Sequence, residues 1–425
     1  MKKISFVHTA DLHLGSPFLG LESLPKSIFE KIRDAAFQSF SRIVDLAIGR
    51  RADFVLVAGD VYDGEDRDVR SQLYFRKEME RLRGEGIPVY VIHGNHDHLN
   101  GNWLKVEMPE NVHIFSGKVE TKLLQTGNGA RVHLYGFSYP ARHVPEPMAA
   151  GYQKKEGAHY HIGLLHGHDG KNPNHYVYAP FSVDELLEKG FDYWALGHIH
   201  QRAVLHRDPY VVYPGNIQGR NRKETGEKGC YFVEMDPSGT SLEFVPTAPV
   251  LWLREKTERE FRTVDELYDF LAERKEHHRR RGVSAFLQLD LDRHRLSESV
   301  AAAAEGGDLL KALQEGEADE NCFVWIHSLR VREEFPDLSP LAGEPFFRQL
   351  KKEREIFDID AALAPLLYHP AARRYLDPAD GGGKGSHEGS GRMDRFLFPE
   401  RREILTLQVD DHETQGNPDL RIRKI

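Results

Sequence analysis

Five short apolar runs in the first half of the chain each stop abruptly at an acid, an amide or a histidine. Ile4–Val7 leads into His8-Thr9-Ala10-Asp11-Leu12-His13, Phe54–Ala58 into Gly59-Asp60, and Val89–Ile92 into His93-Gly94-Asn95-His96-Asp97. Ile162–Leu165 leads into His166, and Tyr193–Leu196 into Gly197-His198-Ile199-His200. Short continuous apolar runs of this kind fit buried strands. Between them, Ile28, Ile32, Ala36, Phe40, Val44 and Ile48 recur at helical spacing, which predicts one helix from Ser27 to Ile48, and Gln72 to Arg83 reads as a second. Strands alternating with helices imply a layered α/β fold, in which ligand-binding groups gather beyond the carboxyl ends of strands. Strand ends that repeatedly carry Asp, Asn or His point to one site.

Taken singly, these elements have ordinary explanations. Asp11-x-His13 is commonly a surface pair, and Gly59-Asp60 fits a plain turn. His198-x-His200 is more pointed, because residues two apart in extended chain face the same way. Gly94-Asn95-His96-Asp97 sets polar groups side by side directly after a buried strand. Jointly they supply the donors of a dinuclear metal site, and Asp60 is the natural bridge because a carboxylate offers two oxygens and offsets positive charge. Mixed Asp, Asn and His donors without thiolate favour manganese, iron or zinc.

The order Asp-x-His, Gly-Asp, Gly-Asn-His-Asp, His, Gly-His-x-His resembles that of the calcineurin-like metallophosphoesterases over about residues 1–250. His8-Thr9-Ala10-Asp11-Leu12-His13-Leu14-Gly15 and Ala195-Leu196-Gly197-His198-Ile199-His200 are similar to the SbcD-type DNA exonucleases within that superfamily. So is Tyr213-Pro214-Gly215-Asn216 followed by Glu224, Lys228 and Gly229, and the likeness extends to the bacterial YhaO-type subfamily. The resemblance implies a layered αββα sandwich, a smaller α+β capping domain and a C-terminal helical extension. It implies two divalent ions, manganese first, with iron or zinc as alternatives. Asp11, His13, Asp60 and His200 would hold one ion, and Asp60, Asn95, His166 and His198 the other. His96 would be the catalytic residue facing the substrate phosphate. His168 competes with His166, which is preferred because it directly ends its strand. Some relatives carry a further catalytic histidine three residues after the bridging Asp, where this chain has Asp63. Asp63-Gly64-Glu65 and Asn95-His96-Asp97 also depart from the Asp-Arg-Gly and Asn-His-Glu of the protein phosphatases in the superfamily.

The expected reaction is in-line attack of a metal-bridging hydroxide on a phosphodiester, with His96 stabilising the transition state or protonating the leaving oxygen. Asp97 reads equally as a partner that orients a histidine or as a turn cap. Arg220 and Arg222, in the run Arg220-Asn221-Arg222-Lys223, are expected at the substrate phosphate, with Arg202 nearby. A solvated loop is the competing reading of that run.

A chain of 425 residues exceeds what one core usually serves. The expected division is a catalytic domain over 1–250, an α+β capping domain over 251–340 and a C-terminal segment over 341–425. The middle part has a helix capped by Thr263 with Glu266 and running to about His278, a strand Phe286–Leu291 and a partner Phe323–Ile326. The last part has a helical stretch Phe346 to Leu367 and a flexible Gly/Ser linker at 381–391. By resemblance, an SMC-like ATPase would dock on that helical stretch, though packing on the chain's own core explains its apolar face as well. A homodimer is also compatible with the resemblance.

The net charge of −9 weighs mildly against a polyanion substrate, but a metal site brings its own positive charge. The two cysteines lie in different regions, which fits a reducing compartment. No run approaches the ~20 apolar residues of a membrane span, so a cytoplasmic protein without membrane contact is expected. The function these features suggest is DNA exonuclease activity in DNA repair, on double-stranded ends or single strands. The alternatives are a phosphodiesterase or pyrophosphatase acting on small nucleotides, and a DNA-end-binding subunit of an SMC-like ATPase complex.

Overall fold

The apolar runs form strands whose alternate side chains serve two cores at once. In β1 (Ile4–Thr9), β2 (Phe54–Ala58) and β3 (Val89–Ile92), Phe6, Phe54, Leu56, Tyr90 and Ile92 face a second sheet, while Val7, Val55, Val57, Val89 and Val91 face helices. The computed structural model describes residues 2–16, 21, 24–64, 68–101, 106–170 and 178–333. The expected helix at 346–367 and linker at 381–391 lie outside the described residues.

Two six-stranded sheets stack face to face. The first adds β4 (Val112–Ile114), β11 (Gly229–Asp236) and β12 (Gly239–Pro246), in the order β12-β11-β1-β2-β3-β4. The second comprises β5 (Glu120–Gln125), β6 (Arg131–Gly136), β7 (Tyr160–His166), β8 (Tyr193–Gly197), β9 (Ala203–Arg207) and β10 (Tyr210–Tyr213), in the order β5-β6-β7-β8-β10-β9. Val132, Leu134, Ile162, Leu164, Tyr193 and Ala195 of this sheet meet the inner residues of the first. The strands β1, β2 and β3 run parallel, as do β6, β7 and β8. Their carboxyl ends therefore point one way in each sheet.

The outer face of the first sheet is covered by α2 (Ala35–Gly49) and α3 (Val69–Gly84) through Phe37, Phe40, Val44, Phe75 and Met79. The outer face of the second is covered by α4 (Val183–Leu187) and neighbouring loops through Leu186, Tyr152 and Phe181. This is the layered αββα arrangement that the resemblance implied.

The single helix expected from Ser27 to Ile48 is instead two. It breaks at Asp34 between α1 (Lys26–Arg33) and α2, and the Asp34 carboxylate accepts from Arg70 Nη2 at 3.0 Å. The break lets one apolar stripe serve two cores. Ala36, Phe40 and Val44 pack on the first sheet, whereas Ile28, Ile32 and Ala35 pack with Val250, Trp252, Phe286 and Phe323.

Those partners belong to a third sheet of β13 (Val250–Thr257), β14 (Ser284–Asp292) and β15 (Val324–Arg332), in the order β13-β14-β15 with both pairings parallel. Parallel neighbours need long crossovers. Here α5 (Val264–Arg279) joins β13 to β14, and α6 (Glu298–Gly306) with α7 (Asp308–Gln314) joins β14 to β15. The helix α5 starts at the expected capping box, in which Glu266 N donates to Thr263 Oγ1 at 3.2 Å. Leu251, Leu287, Leu289 and Ile326 bury one face of this sheet under the helices through Leu267, Leu271, Val300 and Leu313. On the opposite face the Trp252 and Phe286 rings stack at 4.5 Å, a pairing worth about 0.5–1.5 kcal/mol beyond its buried area. Among the described residues, no helix is long and apolar enough to cross a membrane.

Candidate metal centre

The segments beyond β1, β2, β3, β7 and β8 converge. Pairing between β1 and β2 continues past the strands: Asp11 N donates to Gly59 O, His13 N to Asp60 O and Leu14 N to Val61 O, each at 3.0 Å. The continuation forces a tight change of direction. Asp11, His13, Asp60 and His198 have φ of 51°, 43°, 51° and 97°, a region that costs non-glycine residues about 1–3 kcal/mol each. Backbone strain is thus concentrated at residues the sequence nominated as ligands. Two glycines permit the close approach. A Cβ on Gly94 would collide with the Asp60 carboxylate and the His166 ring, and one on Gly197 with the Ala58 carbonyl.

The side chains form two adjoining groups. In the first, His13 Nε2 lies 2.9 Å from His200 Nε2. His13 Nδ1 donates to Asp63 Oδ1 at 3.0 Å, and His200 Nδ1 to Glu224 Oε1 at 2.9 Å. A carboxylate only accepts, so each Nδ1 carries the proton and each Nε2 turns a lone pair inward. Burial pulls the His13 pKa down to about 4, which keeps its ring neutral. Two lone pairs at that separation repel each other unless a cation lies beside both. In the second group, His166 Nδ1 donates to Ala58 O at 3.0 Å, leaving Nε2 at 3.3 Å from Asp60 Oδ2 and 3.1 Å from Asn95 Oδ1. His198 Nδ1 is also 3.1 Å from Asn95 Oδ1. Asp60 joins the groups, since its Oδ2 lies 3.8 Å from His13 Nε2 as well.

Electrostatics favour positive charge here. Asp11 and Asp60 are each 1% exposed. Burial pushes Asp11 up to about 6, despite His166 and His200 beside it. Burial acts against charge on His166 too, yet Asp60 and Asp11 hold its pKa up at about 9. The donor chemistry fits divalent cations. Asp11, His13 and His200 offer ligand atoms within 4.8 Å of one another, as do Asp11, Asp60 and His166, and also His13, Asp60 and His96. Of the residues expected at the metals, Asp11, His13, Asp60, His166 and His200 fall within these groups. Asn95 and His198 fall in none of them and adjoin through the 3.1 Å contacts of Asn95 Oδ1 with His166 Nε2 and His198 Nδ1. His168 is buried, with its ring 6.4 Å from that of His198, and belongs to none of those groups.

His96 stands at the rim, and its Nδ1 is 3.1 Å from Asp63 Oδ1. Burial opposes its protonation, but Asp63 and Asp60 raise its pKa overall. Asp97 caps the turn, accepting from Val61 N at 2.9 Å and Gly94 N at 2.7 Å, and the histidine it holds is His93, at 2.8 Å from Nδ1, which is not one of the expected ligands. Arg220 reaches the site, with Nη1 3.4 Å from Asp63 Oδ1. Arg222 is exposed and acts electrostatically on His327 of β15. Arg202 instead lies over the Phe244 ring, 3.7 Å from its centroid.

Two carboxylates carried no role in the sequence reading. Asp63 braces His13 and His96 together, and Glu224 braces His200. Burial would raise the Glu224 pKa, but His200, the Arg220 amide and Asn216 bring it down to about 2. In the sequence, Glu224 is a spaced element of a motif, and Asp63 stands where some relatives carry a histidine.

Carboxylates and imidazoles gathered at the carboxyl ends of parallel strands make up the donor set of a metal-dependent hydrolase. The family model for calcineurin-like phosphoesterases matches residues 4–202, over the strands that carry the centre. The uncharacterized metallophosphoesterase YhaO of Bacillus subtilis is 41% identical over 380 residues, covering 88% of this chain and 92% of that protein. This chain belongs to the calcineurin-like phosphoesterase family. The DNA double-strand break repair protein Mre11 of Methanocaldococcus jannaschii is 28% identical over 248 residues, which are 56% of this chain and 64% of that protein. Its namesake from Sulfurisphaera tokodaii is 25% identical over 243 residues, 53% of this chain and 59% of that protein. The match thus spans less than two thirds of either Mre11.

Proposed function

We propose that this chain is a metal-dependent phosphodiesterase acting on DNA as an exonuclease, with manganese as its preferred ion. Asp11, His13, Asp60 and His200 hold one ion, and Asp60, Asn95, His166 and His198 the other. When bound, such a pair supplies Lewis-acid charge for a phosphoryl oxygen and lowers the pKa of water at the site.

The observation that carries the reading is the placement of His96. Its Nδ1 is turned to Asp63, and its backbone N–H donates to Asp60 Oδ1 at 3.0 Å. Nε2 is then the nitrogen left to face substrate, and the raised pKa lets it hold a proton for the leaving oxygen. Arg220, held by the same Asp63, adds a planar cation suited to a phosphate. DNA as substrate draws its support from relatives named for double-strand break repair, which align with about half of this chain. An SMC-like ATPase partner for the C-terminal residues belongs to the same proposal and rests on resemblance.

The test compares manganese-supported turnover on linear duplex DNA, single-stranded DNA, and cyclic or diphosphate nucleotides. DNA is expected to be hydrolysed in preference, with release of terminal nucleotides. Equal or faster turnover of the small nucleotides overturns the exonuclease reading.

A further inference from the structure

The grip on His200 comes from outside its own strand end. Glu224 Oε1 accepts from His200 Nδ1 at 2.9 Å and from Asn221 Nδ2 at 3.3 Å. Its Oε2 accepts from Asn216 Nδ2 at 2.7 Å and from Arg220 N at 2.8 Å. Lys228 Nζ donates to the His200 carbonyl at 2.8 Å, so both ring and backbone are held. The segment carrying Glu224 is itself tied to the third sheet. Gln218 Nε2 donates to Val250 O at 2.7 Å, Trp252 Nε1 to Gly219 O at 3.0 Å and Gly226 N to Trp252 O at 2.8 Å.

We propose that Glu224 is a positioning residue for the metal centre: it holds the proton of His200 on Nδ1 and aims Nε2 at the ion, from a loop anchored on β13. The proposal rests on the metal-centre reading above. Its chemistry is specific to a carboxylate with two accepting oxygens. A glutamine has one oxygen and one amide nitrogen. The oxygen side is claimed by the two short donors, Asn216 Nδ2 and Arg220 N, so the amide would turn its hydrogens toward His200. His200 Nδ1 would then have to accept, its proton would move to Nε2, and the lone pair aimed at the ion would be lost. The loop itself would keep its ties to Val250 and Trp252.

The test uses the full chain, stripped with chelator and titrated with Mn2+ by calorimetry, beside Glu224→Gln and Glu224→Asp. Melting is followed with and without the ion. The expected result for Glu224→Gln is Mn2+ affinity weakened by about 10–100-fold, the usual effect of losing a partner that orients a ligand. Its metal-free Tm should stay at the wild-type value while the Mn2+-induced rise shrinks. Glu224→Asp, which keeps two accepting oxygens, should recover part of the affinity. Wild-type Mn2+ affinity in Glu224→Gln overturns the proposal. So does an equal fall in metal-free Tm and affinity in both variants, which marks a folding role. A wild-type chain that takes up no Mn2+ removes the metal-centre reading itself, so the two failures are told apart.

Discussion

His13 and His200 meet with their Nε2 atoms 2.9 Å apart, and each is braced from behind by a carboxylate, Asp63 for one and Glu224 for the other. The pair could hold a cation between them, as the proposed function requires. Saturation with Mn2+ at about 100 times its Kd should stabilise the fold by ~2.7 kcal/mol per site. A Tm rise of several degrees is expected in the wild type and should be largely absent in Asp60→Ala, which removes the carboxylate shared by both groups. An equal rise in the two proteins would contradict the arrangement.

His96 should separate chemistry from metal binding. His96→Ala is expected to lower kcat by about 10²–10⁴-fold, the usual range for a positioned proton donor, while Mn2+ affinity stays at the wild-type level. Because His96 also lies in a potential ligand group with His13 and Asp60, a parallel loss of metal would reassign it as a ligand.

Gly94 is the tightest point of the loop after β3. A methyl group there runs into the Asp60 carboxylate and the His166 ring rather than into a flexible side chain. Gly94→Ala should therefore abolish the Mn2+-induced Tm rise and turnover together. Gly64, whose Cβ would meet nothing within 4 Å, is the comparison site, although its φ of 89° makes the substitution mildly strained.

The third sheet carries a pH-sensitive ion cluster of its own. Glu255 accepts from His278 Nε2 at 2.7 Å and from Arg274 Nη2 at 2.8 Å. Burial would raise its pKa, but His278 and Arg274 bring it down from 4.5 to about 2. A carboxyl depressed in the folded state stabilises above its unfolded pKa, and that contribution is lost as pH falls through the window from about 4.5 to 2. The stability gap between wild type and Glu255→Gln, by urea melts, should be about 1 kcal/mol at pH 6, allowing for solvent screening, and should narrow toward pH 3. A gap that is constant with pH would rule out the ion cluster as its source.

Much of the centre was legible because its signals are local. A buried strand ending in Asp, Asn or His announces itself within a few residues, and Asp11, His13, Asp60, Asn95, His166, His198 and His200 are all of this kind. His166 was preferred over His168 for directly ending its strand, and β7 does end at His166. What escaped depends on partners distant in sequence. The break at Asp34 follows from a core shared with Trp252 and Phe286, which no periodicity between Ser27 and Ile48 contains. Asp63 and Glu224 are ordinary loop acids until the fold sets a histidine against each. The left-handed backbone at Asp11, His13, Asp60 and His198 leaves no mark in composition either, since glycine, its usual sign, is absent from those positions.

The short passage between the first and third sheets has a practical consequence. The strand β12 ends at Pro246 and β13 begins at Val250, and the residues between are fastened: Thr247 N and Ala248 N both donate to Lys228 O, at 2.9 and 3.2 Å, and Thr247 Oγ1 lies 2.7 Å from Ser39 Oγ. This is a weld rather than a hinge. A truncated chain stopping near residue 250 would keep every proposed ligand and still be a poor protein to purify. It would present Ile28 and Ile32 to solvent as a sticky patch and leave the loop behind His200 without its anchor at Trp252.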